Sequence, residues 1–157
     1  MAHRALICGA LSDKSVITNI VFSKDITATL NCLKSLGAKV EISGNTVTIG
    51  GLKLDAIPDN AVLDSNESGS TLRFLIPLCM ASKKTITLKG AKRLFERPLD
   101  IYENIAKKPN ILFQKSENSL TVCGGLSSGE YSIAGNVSSQ FISGLMFSLS
   151  QLEKDSI

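Results

Sequence analysis

One short phrase occurs twice in this chain, 74 residues apart. Thr46-Val47-Thr48-Ile49-Gly50-Gly51-Leu52 is answered by Leu120-Thr121-Val122-Cys123-Gly124-Gly125-Leu126. Each copy is an apolar strand pattern running into a glycine pair. The surrounding periodicity repeats with it, as helix, strand, helix and two strands. A period near 70 is too long for a solenoid, whose units run to about 20–50 residues. It predicts an α/β fold of two complete units and part of a third within 157 residues. Each unit packs a helix pair on a small sheet, with unit boundaries near 60 and 128.

The individual elements follow from the spacing of apolar residues. A helix is expected over 2–11 with Ala5, Leu6 and Cys8 inward, then a β-branched strand over 15–22. Asp25 opens a second helix carrying Ile26, Leu30 and Leu33, which Gly37 stops. Strands over 38–43 and 45–49 are joined at Gly44-Asn45. The second unit places a helix over 70–81, kinked at Pro77, and a strand over 84–89. A helix over 98–107 starts at Pro98 and leads to strands over 110–115 and 119–123. A strand over 130–134 and a helix over 138–150 open the third unit. Arg4 and Arg73 are both expected in the first turns of unit-opening helices.

Composition narrows the function classes. A chain of this length with 43% apolar residues can build a real core. No apolar run approaches the ~18 residues of a membrane span, and the first residues show no secretory pattern. Cys8, Cys32, Cys79 and Cys123 lie far apart and His3 is the only histidine. That argues against a zinc site and for reduced, buried thiols in the cytoplasm. The net charge of +3 is scattered and aromatic residues make up 5%. Neither a basic groove nor a stacking platform for nucleic acid is present. Small anions are the better match.

Three segments place polar residues at helix starts, where unpaired N–H groups favour phosphate and carboxylate. Asn66-Glu67-Ser68-Gly69-Ser70-Thr71-Leu72-Arg73 combines a glycine for close approach, hydroxyls and a guanidinium. Gly135-Asn136-Val137-Ser138-Ser139-Gln140 offers two hydroxyls and an amide. Arg93-Leu94-Phe95-Glu96-Arg97-Pro98 brings two guanidiniums. Taken singly, each also reads as a helix cap or a solvated charge. No Walker loop or GxGxxG after a strand occurs, and a Ser-His-Asp triad would need His3.

Taken together, Ala2-His3-Arg4-Ala5-Leu6-Ile7, the 66–73 segment, Arg93 to Leu99, and Gly135 to Phe141 resemble 5-enolpyruvylshikimate-3-phosphate synthases. The resemblance runs over essentially the whole chain. It implies βαβαββ units in an inverse α/β-barrel-like domain, about two and a half of which are present, and a second domain across a cleft. It implies transfer of enolpyruvyl from phosphoenolpyruvate to shikimate 3-phosphate with release of phosphate, with no metal or organic cofactor. The enolpyruvyl transferase acting on UDP-N-acetylglucosamine shares the fold but lacks the His-Arg-Ala opening and the Ser-Ser-Gln.

Residue by residue, the resemblance gives Arg4, Ser138 and Ser139 to shikimate 3-phosphate. It sets Gln140 between both substrates, and gives Gly69 and Arg97 to phosphoenolpyruvate, Gly69 also lying against glyphosate. Arg73 is read as mainly structural. The departures are Glu67, where many members carry Asn, and Lys107-Lys108-Pro109 in place of a glycine-containing turn. The family's Lys-Ser before Ala-His-Arg and its second domain are expected to be missing, leaving no convincing general acid or base. The chain is therefore expected to bind weakly and to be inactive alone. An alternative is a non-catalytic module that self-associates through Phe141, Ile142 and Met146.

Overall fold

The computed structural model describes residues 1–107, 111–134 and 138–157. Lys108 and Pro109 of the variant turn, and Gly135-Asn136-Val137 of the third motif, lie outside the described residues.

The elements run α1 (Ala2–Ala10), β1 (Ser15–Ile17), α2 (Lys24–Ser35), β2 (Lys39–Ser43) and β3 (Thr46–Gly50). A 3-10 turn at Leu54–Ala56 leads to β4 (Ala61–Asp64), α3 (Gly69–Ala81), β5 (Thr85–Lys89), α4 (Lys92–Glu96) and α5 (Asp100–Ala106). Strands β6 (Leu112–Lys115) and β7 (Ser119–Cys123) precede α6 (Ser139–Leu149). One sheet has the order β1-β3-β2 and the other β4-β5-β7-β6. In both, a hairpin strand pairs on its far edge with an antiparallel strand, and β4 adds a parallel strand to the second.

The repeat is visible in single hydrogen bonds. Helices α1, α3 and α6 are each followed by a serine whose hydroxyl donates to the carbonyl three residues back. The pairs are Ser12 to Gly9 at 2.7 Å, Ser82 to Cys79 at 2.8 Å and Ser150 to Phe147 at 3.0 Å. The glycine pairs use the same device: Leu52 N–H donates to Ala10 O and Leu126 N–H to Met80 O. Counting back from these serines aligns Arg4 with Phe74. Arg73 is the fifth residue of α3, beyond its first turn.

Local chemistry explains the boundaries. Ser23 caps α2 by accepting from Ile26 N–H, and the helix ends in a Schellman motif. There Gly37 N–H donates to Lys34 O and Ala38 N–H to Leu33 O, with Gly37 at φ +101°. Gly44 at φ +56° sits at the first position of the two-residue β2–β3 loop, as a II′ hairpin turn requires.

Several expectations are corrected. Strand β1 stops at Ile17 because its partner β3 has reached the hairpin, and Asn19 turns to φ +59°. Residues 130–134 form no regular strand; Tyr131 N–H donates to Ile157 O, and Ile157 N–H donates to Gly129 O just ahead of them. Pro98 precedes α5 instead of opening it, since Leu99, at φ −125° and ψ 12°, is the non-helical residue ahead of the first turn. Ala5 and Cys8 face outward while Leu6, Ile7 and Ala10 fill the core. Of the thiols only Cys32 and Cys79 are buried. Strand β4 and the single-turn helix α4 have no counterpart among the expected elements.

One apolar cluster joins both sheets and the helices, from Leu6 and Ile7 through Leu72–Met80 to Phe141 and Leu145. Helix α3 is its centre, buried from Phe74 to Ala81. Among the described residues no helix is long and apolar enough to cross a membrane.

Candidate anion-binding site

The first turns of α1, α3 and α6 meet on one face, and side chains tie them together. Arg4 of α1 donates from Nε to Ser143 Oγ at 3.1 Å and from Nη2 to Ser139 Oγ at 3.3 Å, both on α6. Its guanidinium carbon also lies 5.0 Å from the centre of the Phe74 ring on α3. Residues almost the whole chain apart thus share one bonded group.

Gln140 links α6 to α3. Its Oε1 accepts from Arg73 Nη1 at 2.8 Å while its Nε2 donates to Ser70 Oγ at 2.7 Å. Arg73 also stacks over Phe141 at 5.3 Å. Burial, and then the neighbouring Arg97, press the Arg73 guanidinium below its ordinary pKa, with Tyr102 opposing. Two cations held close together are a standing demand for an anion.

Gly69 is the first residue of α3. A Cβ there would stand 3.1 Å from Arg97 Nη1 and 3.8 Å from Arg73 Nη1, so the absent side chain leaves room between the two guanidiniums and the helix N-terminus. The helix is capped one residue earlier, by Ser68 Oγ accepting from Thr71 N–H at 3.2 Å. The cap reading and the site reading therefore apply to different residues. Arg97 is exposed and closes α4 at its C-terminal side, just ahead of α5. Ser138 caps α6, accepting from Gln140 N–H at 3.3 Å, while Ser139 faces Arg4. Glu67 is engaged outside this constellation, with Arg93 at 2.8 Å.

The structure therefore brings Arg4, Ser139, Gln140, Gly69 and Arg97 to one face, with Ser138 at its edge. Sequence reasoning missed Ser143, one helical turn beyond Ser139, and Ser70 as the amide's partner. Arg73, read from the resemblance as mainly structural, holds Gln140 and stacks over Phe141 beside the site. Among the described residues no group of three or more His, Cys, Asp or Glu gathers to hold a metal.

Residues 1–157 match the family model described as EPSP synthase (3-phosphoshikimate 1-carboxyvinyltransferase). The chain belongs to the EPSP synthase family. It is 43% identical over 159 residues to a 3-phosphoshikimate 1-carboxyvinyltransferase of Clostridium perfringens, covering 99% of this chain and 38% of that protein. The corresponding protein of Clostridium novyi is 44% identical over 169 residues, with the same coverage. The chain thus spans 38% of the length of these curated relatives. Among solved structures, EPSP synthase from Acinetobacter baumannii superposes with a TM-score of 0.77 at 22% identity. That match covers 97% of this chain and 36% of the other. The enolpyruvyl transferase NikO of Streptomyces tendae gives 0.62 at 12% identity, covering 96% and 35%. These superpositions establish the enolpyruvyl transferase fold for this chain, whose two sheets and helix-end serines repeat within it.

Proposed function

We propose that this chain supplies one wall of an enolpyruvyl transfer site for shikimate 3-phosphate and phosphoenolpyruvate. Arg4, Ser138 and Ser139 hold the shikimate phosphate. Gly69 and Arg97 receive phosphoenolpyruvate, and Gln140 lies between the two. The observation that carries this reading is Arg4 bonded to Ser139 and Ser143 beside the Arg73–Gln140–Ser70 chain. It is a ready-made fork of guanidiniums, hydroxyls and helix ends for two polyanions. The same chemistry serves the phosphonate and carboxylate of glyphosate.

The described site holds guanidiniums, hydroxyls and an amide, and none of them works as a proton donor or acceptor near neutral pH. We therefore propose binding without turnover for the 157-residue chain alone, a cytoplasmic setting, and unit boundaries near 60 and 128. Titration calorimetry with shikimate 3-phosphate should show weak, saturable binding that Arg4→Ala abolishes. A phosphate-release assay should stay at background. Turnover, or binding indifferent to Arg4→Ala, would reverse these conclusions.

One further observation favours a second property, self-association, through Ile142 and Met146; Phe141, expected on the same face, is buried in the core instead. Ile142, Leu145, Met146 and Leu149 of α6 line an open groove of about 520 Å³ with Tyr131 and Ile133, and Met146 is 65% exposed. Sedimentation velocity should show concentration-dependent dimers that Met146→Lys removes. A monomer at high concentration rejects that role.

A further inference from the structure

Beneath the site runs a chain of hydroxyls with no role in the reading above. His3 Nδ1 lies 2.8 Å from Thr29 Oγ1 on α2. Thr29 Oγ1 lies 2.7 Å from Thr71 Oγ1 on α3, and Thr71 Oγ1 donates to Ser68 Oγ at 2.7 Å. Thr29, Thr71 and Ser68 are fully buried, in an apolar surround where an unmade bond is costly.

Proton counting gives the chain a direction. Each hydroxyl has one proton to donate. Thr71 gives its proton to Ser68 Oγ, which also accepts Thr71 N–H. Thr71 Oγ1 is then free to accept from Thr29. Thr29 spends its proton on Thr71 or on Asp25 O at 3.1 Å. Were Thr29 to donate to His3 Nδ1 instead, its 2.7 Å contact with Thr71 would hold no proton, so the chain is complete only with Thr29 accepting from the Nδ1–H tautomer of the imidazole. The chain begins one residue before Arg4 and ends one residue before Gly69. It spans α1, α2 and α3.

The geometry points to His3 as a positioning residue: through Thr29, Thr71 and Ser68 it sets the N-terminus of α3, and hence Gly69 and Ser70, relative to Arg4. This rests on the functional reading of that face as the anion-binding wall. His3 touches no reacting atom and acts only through the cap. The charged groups around it are Asp25 on α2, and Arg4 and the chain's amino group on α1, while α3 presents the Phe74 ring at 6.5 Å. Burial holds the imidazole below its ordinary pKa, which keeps the neutral donor form at neutral pH.

As His3 is the sole histidine, its ring nitrogens give unambiguous signals in the 15N-labelled chain. Without ligand, the neutral ring should be the Nδ1–H tautomer, and the amide signals of Gly69 and Ser70 should titrate with the His3 midpoint. Thr29→Val should abolish that co-titration, and Thr29→Ser should keep it. The opposite tautomer, or Gly69 and Ser70 amides that ignore the midpoint in the unmodified chain, would overturn the proposal without needing any variant to fold. In calorimetry with shikimate 3-phosphate, His3→Ala should weaken binding about tenfold. His3→Asn, which can return an N–H donor to the Nδ1 position, should recover most of it. Equal affinity for His3→Ala and the unmodified chain also overturns the proposal. If the unmodified chain binds no shikimate 3-phosphate, the functional reading fails while the tautomer and the coupled amide shifts still decide the positioning network.

Discussion

Tyr102 donates its hydroxyl to the Arg73 carbonyl at 2.8 Å, and that carbonyl is the one Pro77 leaves without a helical partner. Proline at position i removes the bond to the carbonyl at i−4, which here is Arg73. The proline expected to disturb α3 instead creates an acceptor inside the core. Tyr102, fully buried on α5, fills it and shares the same proton with Phe141 O at 3.2 Å. One phenol thereby joins α5, α3 and α6 directly behind Arg73 and Gln140.

Tyr102→Phe should accordingly destabilise the chain by about 1–3 kcal/mol, the cost of leaving buried carbonyls unsatisfied. Urea unfolding should show a lower midpoint at unchanged slope. In the Tyr102→Phe background, Pro77→Ala returns an N–H to the Arg73 carbonyl and should recover part of the loss. Additive losses in the double variant would show that the two residues do not share that acceptor.

Gly69→Ala separates the two substrates. The added methyl meets the exposed end of Arg97 at 3.1 Å, a side chain free to move, so stability should change by less than about 1 kcal/mol. The space beside Arg97 is nevertheless lost. Phosphoenolpyruvate binding should fall about tenfold or more, because small displacements of a positioned group are costly. Shikimate 3-phosphate, held from Arg4 and Ser139, should bind within about twofold of its original strength. Calorimetry with each ligand in turn measures both, and an equal loss for the two would place the effect in the fold instead.

What the sequence reveals and conceals follows a physical division. Helices with a full apolar stripe, such as α2 and α6, and strands with strict alternation, such as β5 and β7, are readable because their periodicity extends over several turns or pairs. Strand β4 has four residues and α4 a single turn without a side-chain cap, too short for any period to emerge. Residues 15–22 suit a longer strand because six of the eight are β-branched or apolar, yet only a partner strand can make one. In the site, Arg4, Gly69 and Ser139 stand in motifs whose residue types declare anion binding. Ser143, Ser70 and the His3–Thr29–Thr71 chain depend on how four helices, α1, α2, α3 and α6, meet side by side. Bonds across 26 to 139 residues leave no local signature.

The glycine pair of the repeat gives an ordered set of stability losses. A Cβ on Gly124 would lie 1.5 Å from Met80 O, and one on Gly50 would lie 2.3 Å from Asp13 O. Both obstacles are backbone and cannot swing aside. Gly124→Ala should cost about 3 kcal/mol or more, since overpacking against a fixed chain forces the elements apart. Gly50→Ala should follow, and Gly69→Ala should cost least. Denaturant midpoints rank the three, and a Gly124→Ala chain as stable as the Gly69→Ala chain would refute the close approach.

The buried thiols and phenol make the fold alkali-sensitive in a defined window. Burial, and then Asp64, push the Cys32 thiol up to about 12, and burial likewise raises Cys79 and Tyr102. For these acids the folded pKa lies above the unfolded one. Their contribution is therefore complete below about pH 8, where free thiols begin to ionise, and is lost as pH rises towards the folded values. Each group removes up to about 1.4 kcal/mol per pH unit inside that window. Urea midpoints should be flat from about pH 7 to about 8 and fall with increasing slope between about 8 and 12. Cys32→Ala should lower the starting stability but shallow that slope. At pH 8 the exposed Cys8 should react with a thiol reagent in the folded chain, while Cys32 and Cys79 react only after unfolding. Rapid modification of Cys32 in the folded chain would mean that α2 opens readily from the core. The burial that raises its pKa would then be absent in solution.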